Sequence, residues 1–190
     1  MPTDIQSLSQ TLQLRLWSLF KVPMLSRVRP RVEELNDERV VISVPLLRRN
    51  RNHLDSMYFG VLACGADLAG GMLAMRRIWT SGKPISLIFK NFNAQFLKRP
   101  EAKTLFICED GELIDELVKR TVKSGEREEA VVRVKALCPD TFGEDPVATF
   151  ELTLSLKLRE AQKRAGLSGA LYRFLPDREW LAAKTPFNLF

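Results

Sequence analysis

With 190 residues, 45% of them hydrophobic, the chain is the size of one domain with an ordinary core. Its 29 lysines and arginines outnumber 23 acidic residues for a net charge of +6, which suits an anionic partner. The basic clusters Arg27/Arg29/Arg31, Arg48/Arg49/Arg51 and Arg76/Arg77 are short and carry no interleaved aromatic platform, which argues against nucleic acid. Cys64, Cys108 and Cys138 are odd in number, widely spaced and without a Cys-x-x-Cys pair, and His53 is the one histidine. No disulfide framework and no metal site are expected, and a cytoplasmic setting is. The start, Met-Pro-Thr-Asp, has neither a basic leader nor a signal-like apolar core, so export is not expected.

Ile5, Leu8, Leu12, Leu16 and Leu19 recur at spacings of three and four, with Trp17, Phe20 and Met24 alongside. This predicts an amphipathic helix over residues 5–25, kinked or ended by Pro23. It is expected to pack over the sheet or against a partner subunit; the alternative is an interfacial helix lying on a membrane, helped by Arg15 and Lys21. Residues 31–35 and 39–47 read as two strands around an Asn36-Asp37 turn, because Val40, Ile42 and Val44 stand in a β-branched run.

A polar loop, Arg48-Arg49-Asn50-Arg51-Asn52-His53, then leads into a segment from Met57 to Met75 whose one charge is Asp67. A helix over residues 56–75 would be apolar on nearly all sides and therefore buried. Its longest apolar run, Val61 to Met75, is shorter than the roughly 20 residues of a spanning helix, so it is read as a core helix. Ser81-Gly82-Lys83-Pro84 marks a turn, and residues 85–97 form a long strand. Leu87 and Phe89 fall on one parity and Ile88 and Phe92 on the other, as in a central strand. A short strand over 104–108, a helix from Asp110 to about Lys123 stopped by Ser124-Gly125, and strands over 129–137 and 148–158 follow. Phe150, Leu152, Leu154, Leu156 and Leu158 alternate with polar residues, so the last strand is antiparallel and half exposed. From Glu160 a helical or irregular tail carries Tyr172, Phe174, Trp180, Phe187 and Phe190, which are expected to dock back on the domain. The fold class is α+β, with an N-terminal helix (1–28), one domain (29–160) and a tail (161–190).

Asp67 is the residue that demands chemistry. An ionised carboxylate within an apolar helix is unstable without partners, and one with partners is poised as an acid or base. If Asp55 or Ser56 caps the helix, the free backbone N–H groups of Phe59 and Gly60 lie at its positive end, where they could stabilise an oxyanion. Asp67 stands seven residues past Gly60, about 10 Å along the helix, too far for both to meet one carbonyl carbon in a single helix.

The stretch Asn52-His53-Leu54-Asp55-Ser56-Met57-Tyr58-Phe59-Gly60, followed by Ala66-Asp67, resembles the hotdog-fold thioesterases, and among them the phenylacetate-pathway (PaaI-like) type. Within that type it is most similar to a branch with an Asn-His-x-x-Ser-x-Tyr-Phe-Gly signature. The resemblance spans residues 31–159 and is strongest over 50–71. Tyr58 stands where many relatives have His, Phe59 replaces the first glycine of a pair, and Asp55 takes the place of a loop glycine. The resemblance implies a curved antiparallel sheet wrapped around one long buried helix, and a homodimer, possibly pairing into a tetramer, in which the helix start of one subunit faces the acid of the other. It implies hydrolysis of acyl-CoA or another acyl-thioester without a cofactor. Asp67 would be general base or nucleophile and Asn52 would orient water or substrate, with His53, Ser56, Tyr58 and Ser86 in support. A non-hydrolytic acyl-thioester or lipid binder is the alternative.

Overall fold

The computed structural model describes residues 5–159. The tail and its aromatic residues lie outside the described residues. Helix α1 (Ile5–Lys21) is followed by the short α2 (Pro23–Arg27), with Pro23 at the start of α2, where its missing N–H costs no hydrogen bond. Strands β1 (Arg31–Leu35) and β2 (Val40–Val44) form a hairpin. The Asn36 side-chain oxygen accepts from the N–H groups of Glu38 and Arg39, closing the turn expected there. Pro45 follows Val44 directly, and β2 is shorter than the sequence suggested.

The central helix α3 runs from Phe59 to Thr80, starting three residues later and ending five residues later than the expected 56–75. It starts late because Asn50 to Met57 close a loop of their own. Arg51 bridges Met57, and Tyr58 N–H donates to Asn50 O at 2.8 Å. It ends late because Ile78 is still buried in the core, while Arg76 pairs with Asp37 at 2.7 Å. By length and composition α3 could cross a membrane. Here its Leu62, Ala66, Leu68, Ala69, Leu73 and Ala74 are buried in the core.

Strands β3 (Ile85–Phe96), β4 (Thr104–Cys108), β5 (Glu128–Leu137) and β6 (Pro146–Leu158) complete an antiparallel sheet in the order β1-β2-β4-β5-β6-β3. Helix α4 (Gly111–Ser124) lies between β4 and β5 and buries Ile114, Leu117 and Val118. A short helix α5 (Pro139–Phe142) stands between β5 and β6. Gly111 sits against the Asp37 carbonyl and the Glu38 backbone with no room for a side chain.

Strand β3 is an edge strand of the chain's sheet, not a central one, and its two-parity pattern has a local cause. A bulge at Lys90 shifts the register between Phe89 and Asn91. Before it Leu87 and Phe89 pair with Leu156 and Leu154; after it Phe92, Ala94 and Phe96 pair with Leu152, Phe150 and Ala148. All these partners are buried, so the bulge keeps both apolar sets on the inner face. At the opposite sheet edge α1 covers β1. Thr11 Oγ1 accepts from Val32 N–H at 2.9 Å, and Arg15 Nε donates to the Pro30 carbonyl at 3.0 Å. These bonds turn α1 away from one of the two expected arrangements, packing of its leucines over the sheet: Gln10, Thr11, Leu14 and Ser18 are buried, while Leu8, Leu12, Leu16 and Leu19 face outward.

Candidate functional site

The loop before α3 is built on Asn52. Its side-chain Oδ1 accepts from Leu54 N–H at 2.8 Å and Ser56 N–H at 3.3 Å, and its Nδ2 bonds Ser56 Oγ at 3.0 Å. Ser56 is buried, so this reciprocal arrangement satisfies a hydroxyl and an N–H that would otherwise lie unpaired. Asp55 adopts a left-handed backbone (φ 57°), the conformation that a glycine accepts most readily. Neither Asp55 nor Ser56 caps α3. The N-cap is Tyr58, which makes no side-chain capping bond. His53 is exposed in the loop.

Residues Val61 and Leu62 direct their N–H groups to the Tyr58 carbonyl. Among the described residues the N–H groups of Phe59 and Gly60 take no partner, so two donors remain at the positive end of a 22-residue helix. The Tyr58 ring lies over Gly60 and against Phe59, ring centroids 4.7 Å apart, and Phe59 meets Phe96 of β3 edge-on at 6.3 Å.

Two turns along, Asp67 is half-buried and makes no hydrogen bond or ion pair among the described residues. Burial alone lifts its carboxyl from 3.8 to about 6. The direction it faces follows from its neighbours. Gly65 is packed flat against the Phe106 ring of β4, and Gly70 faces Val132 and Leu152 of β5 and β6. Gly71 faces Phe89 of β3 and the Asp67 carboxylate. Asp67 therefore looks toward the β3 edge. The nearby Cys64 thiol is pushed up by burial and by the Asp67 charge.

On its inner face strand β3 leaves Phe92 and Phe96 exposed, joined through the Phe96–Phe59 and Phe59–Tyr58 ring contacts to the start of α3; Leu97 is exposed beyond it, and Ile88 is exposed on the outer face. The sequence pattern hid this face, because the Lys90 bulge scrambles the alternation that would reveal it. Ser86 is not brought to Asp67. It pairs with Lys157 on the outer face of the sheet, and its hydroxyl donates to the Lys157 carbonyl at 3.1 Å. Two surface hollows lie on the outer face of β3, β5 and β6 and between α3 and α4, and neither is lined by Asp67 or Phe59. One wall of a site is thus present: a lone carboxylate, a pair of free N–H groups and an aromatic edge.

The sequence model of a family described as a domain of unknown function, DUF4442, matches residues 11–155. The chain belongs to the DUF4442 family. Among solved structures, this DUF4442 chain is similar to a protein of unknown function from Pseudomonas aeruginosa described as a probable thioesterase. The two are 24% identical with a TM-score of 0.65, over 78% of this chain and 96% of that one. A protein of unknown function from Chlorobaculum tepidum is 13% identical with a TM-score of 0.69, over 80% and 97% of the two chains. A thioesterase from Haemophilus influenzae is 14% identical with a TM-score of 0.57, over 77% and 92%. At these identities the likeness is one of fold, and the fold of this DUF4442 chain is the hotdog arrangement. No curated protein matches it.

Proposed function

We propose that this DUF4442 chain is an acyl-thioester hydrolase, with acyl-CoA as the substrate class, whose site is completed between two copies of the chain. The single observation that carries the reading is Asp67: an unpartnered, half-buried carboxylate with a carboxyl near 6, aimed at an open, apolar sheet edge. A base poised near neutrality is what general-base attack of water on a thioester requires. Pairing of two β3 edges, antiparallel across a two-fold axis, would cover Ile88, Phe92 and Phe96. It would also carry the Phe59 and Gly60 N–H groups of one copy toward the Asp67 of the other, overcoming the two-turn separation within α3.

In this reading the two N–H groups hold the thioester carbonyl oxygen and stabilise the charge that develops on it. Asp67 takes the proton of a water that attacks the carbonyl carbon, the C–S bond breaks, and the thiolate leaves as the thiol after protonation. The other route is direct attack by Asp67 on the carbonyl carbon, which expels the thiolate and leaves an anhydride that water then hydrolyses to free the acid and the Asp67 carboxylate. Arg48, Arg49 and Arg99 flank the loop before α3, with the Pro100 carbonyl accepting from Met57 N–H at 2.9 Å, and they suit the phosphates of coenzyme A. The likeness in fold to proteins described as thioesterases supports the same class.

One observation favours a second reading, binding without turnover. The Tyr58 ring lies over Gly60, beside the two proposed oxyanion donors. The deciding experiment is a hydrolysis screen over acyl-CoA chain lengths with wild type and Asp67→Asn, alongside equilibrium binding of the same thioesters. Turnover that disappears in Asp67→Asn supports the hydrolase. Binding with no turnover by wild type supports the second reading.

A further inference from the structure

The outward face of α1 and α2 takes no part in the proposed site. Leu8, Leu12, Leu16 and Leu19 are each half or more exposed, and Phe20 and Met24 still more so. At 3.6 residues per turn the four leucines fall within about 80° of arc, so they form one stripe along the helix. Phe20 and Trp17 widen it. A contiguous apolar patch of this kind marks an interaction surface. The helix cannot roll to bury the stripe, because Thr11 and Arg15 bond it to the backbone of β1 and the residue before it.

The segment that carries this stripe has charge of one sign. Residues 5–32 contain five basic residues, Arg15, Lys21, Arg27, Arg29 and Arg31, and no acidic one. Among the described residues Arg27, Arg29 and Arg31 have no carboxylate partner, whereas Arg76 and Arg77 are paired with Asp37 and Asp115. Arg15 is close enough to Arg29 and Arg31 for their charges, after burial, to lower its affinity for its proton.

We propose that this face docks in the plane of an anionic phospholipid bilayer, with the leucines and Phe20 in the acyl boundary and the arginines among the headgroups. Apolar stripe and uncompensated cations in this arrangement are what an interfacial helix presents to anionic lipid. A second copy of the chain is the poorer occupant. An isologous contact would set Arg15, Arg29 and Arg31 near their own counterparts with no carboxylate from residues 5–32 to neutralise them. Docking is also compatible with pairing at β3, since β1 and β3 are the opposite edges of the sheet. The proposal is independent of the reaction assigned to Asp67.

The test is co-sedimentation of the full chain with phosphatidylcholine vesicles, with and without phosphatidylglycerol, over a range of salt. Light scattering without lipid is run in parallel. The expected result is binding that requires the anionic lipid, weakens with salt, and falls about tenfold or more in partition coefficient for Leu12→Ser/Leu16→Ser and for Arg27→Glu/Arg31→Glu. Failure of wild type to sediment overturns the proposal, as does equal binding to vesicles of phosphatidylcholine alone. Undiminished binding by the leucine variant overturns it too, assigning the contact to another segment such as residues 160–190. A fall in solution mass of the leucine variant without lipid overturns it in favour of a second copy.

Discussion

Gly71 stands one turn beyond Asp67, and a side-chain carbon placed there would lie 3.7 Å from Asp67 Oδ1 and 3.5 Å from Phe89 Cζ. These are ordinary contact distances, so the fold accommodates a methyl group, which would occupy the space beside the carboxylate. Gly71→Ala should therefore leave thermal stability unchanged or raise it by up to about 1 kcal/mol from helix propensity. It should lower kcat/KM for thioester hydrolysis by about tenfold or more, by filling the room next to the base. Parallel thermal unfolding and steady-state kinetics check this. Full activity in a stable Gly71→Ala would remove the reacting carbon from that side of Asp67.

Asp67 links the proposed chemistry to stability with a definite sign. Its carboxyl is raised by burial to about 6 in the folded chain. Between about 4 and 6 the folded state thus holds a proton that the unfolded state has released, and stability falls as pH rises through that window. Asp67→Asn has no such penalty. It should be more stable than wild type above pH 6, by at most about 2 to 3 kcal/mol, with the gap closing below pH 4. Hydrolysis by wild type should rise with pH through about 6 and then level, and Asp67→Asn should lose that limb with the activity. Denaturant unfolding at pH 4, 6 and 8 and a pH–rate profile read the two effects separately.

The apolar β3 edge is the basis for expecting two copies. Phe92 faces inward, 5.7 Å from the Phe150 ring, yet remains 41% exposed in the single chain. Phe92→Glu would bring a carboxylate into the paired edge and should shift the mass by light scattering toward one chain at micromolar concentration. Hydrolysis should fall with it, while far-ultraviolet circular dichroism is retained. A single chain that still turns over would show that the site is complete within one subunit.

The main outline of the fold was legible because long-range burial leaves regular periods in the residues. The alternation of β6, the unbroken apolar run of α3 and the turn chemistry of Asn36 all report local rules that tertiary packing did not override. What was misread shows where those rules give way. The Lys90 bulge made an edge strand look buried on both faces. In α1 the side-chain bonds of Thr11 and Arg15 to the chain at β1 outweighed the apolar stripe, and the spacing of the leucines carries no trace of those bonds. Asp67 was legible as an anomaly from one charge in an apolar helix. Its orientation was not, because it depends on which ring packs on Gly65 and which on Gly71.

Asn52 separates a structural from a chemical role. Its Oδ1 and Nδ2 are engaged with Leu54 and Ser56, and the Ser56 side chain they satisfy is buried. Removing the amide leaves a buried hydroxyl and a loop N–H without partners, at a cost of about 1 to 3 kcal/mol. Asn52→Ala should therefore lower the melting temperature clearly, and slow hydrolysis much less than Asp67→Asn once rates are taken per folded protein. Asn52→Asp keeps the acceptor for Leu54 and Ser56 N–H and should recover part of the stability. Measuring unfolding and single-turnover rates for the three variants decides the matter. If Asn52→Ala stays as stable as wild type but loses turnover, the amide acts on water or substrate and the loop holds itself by other means.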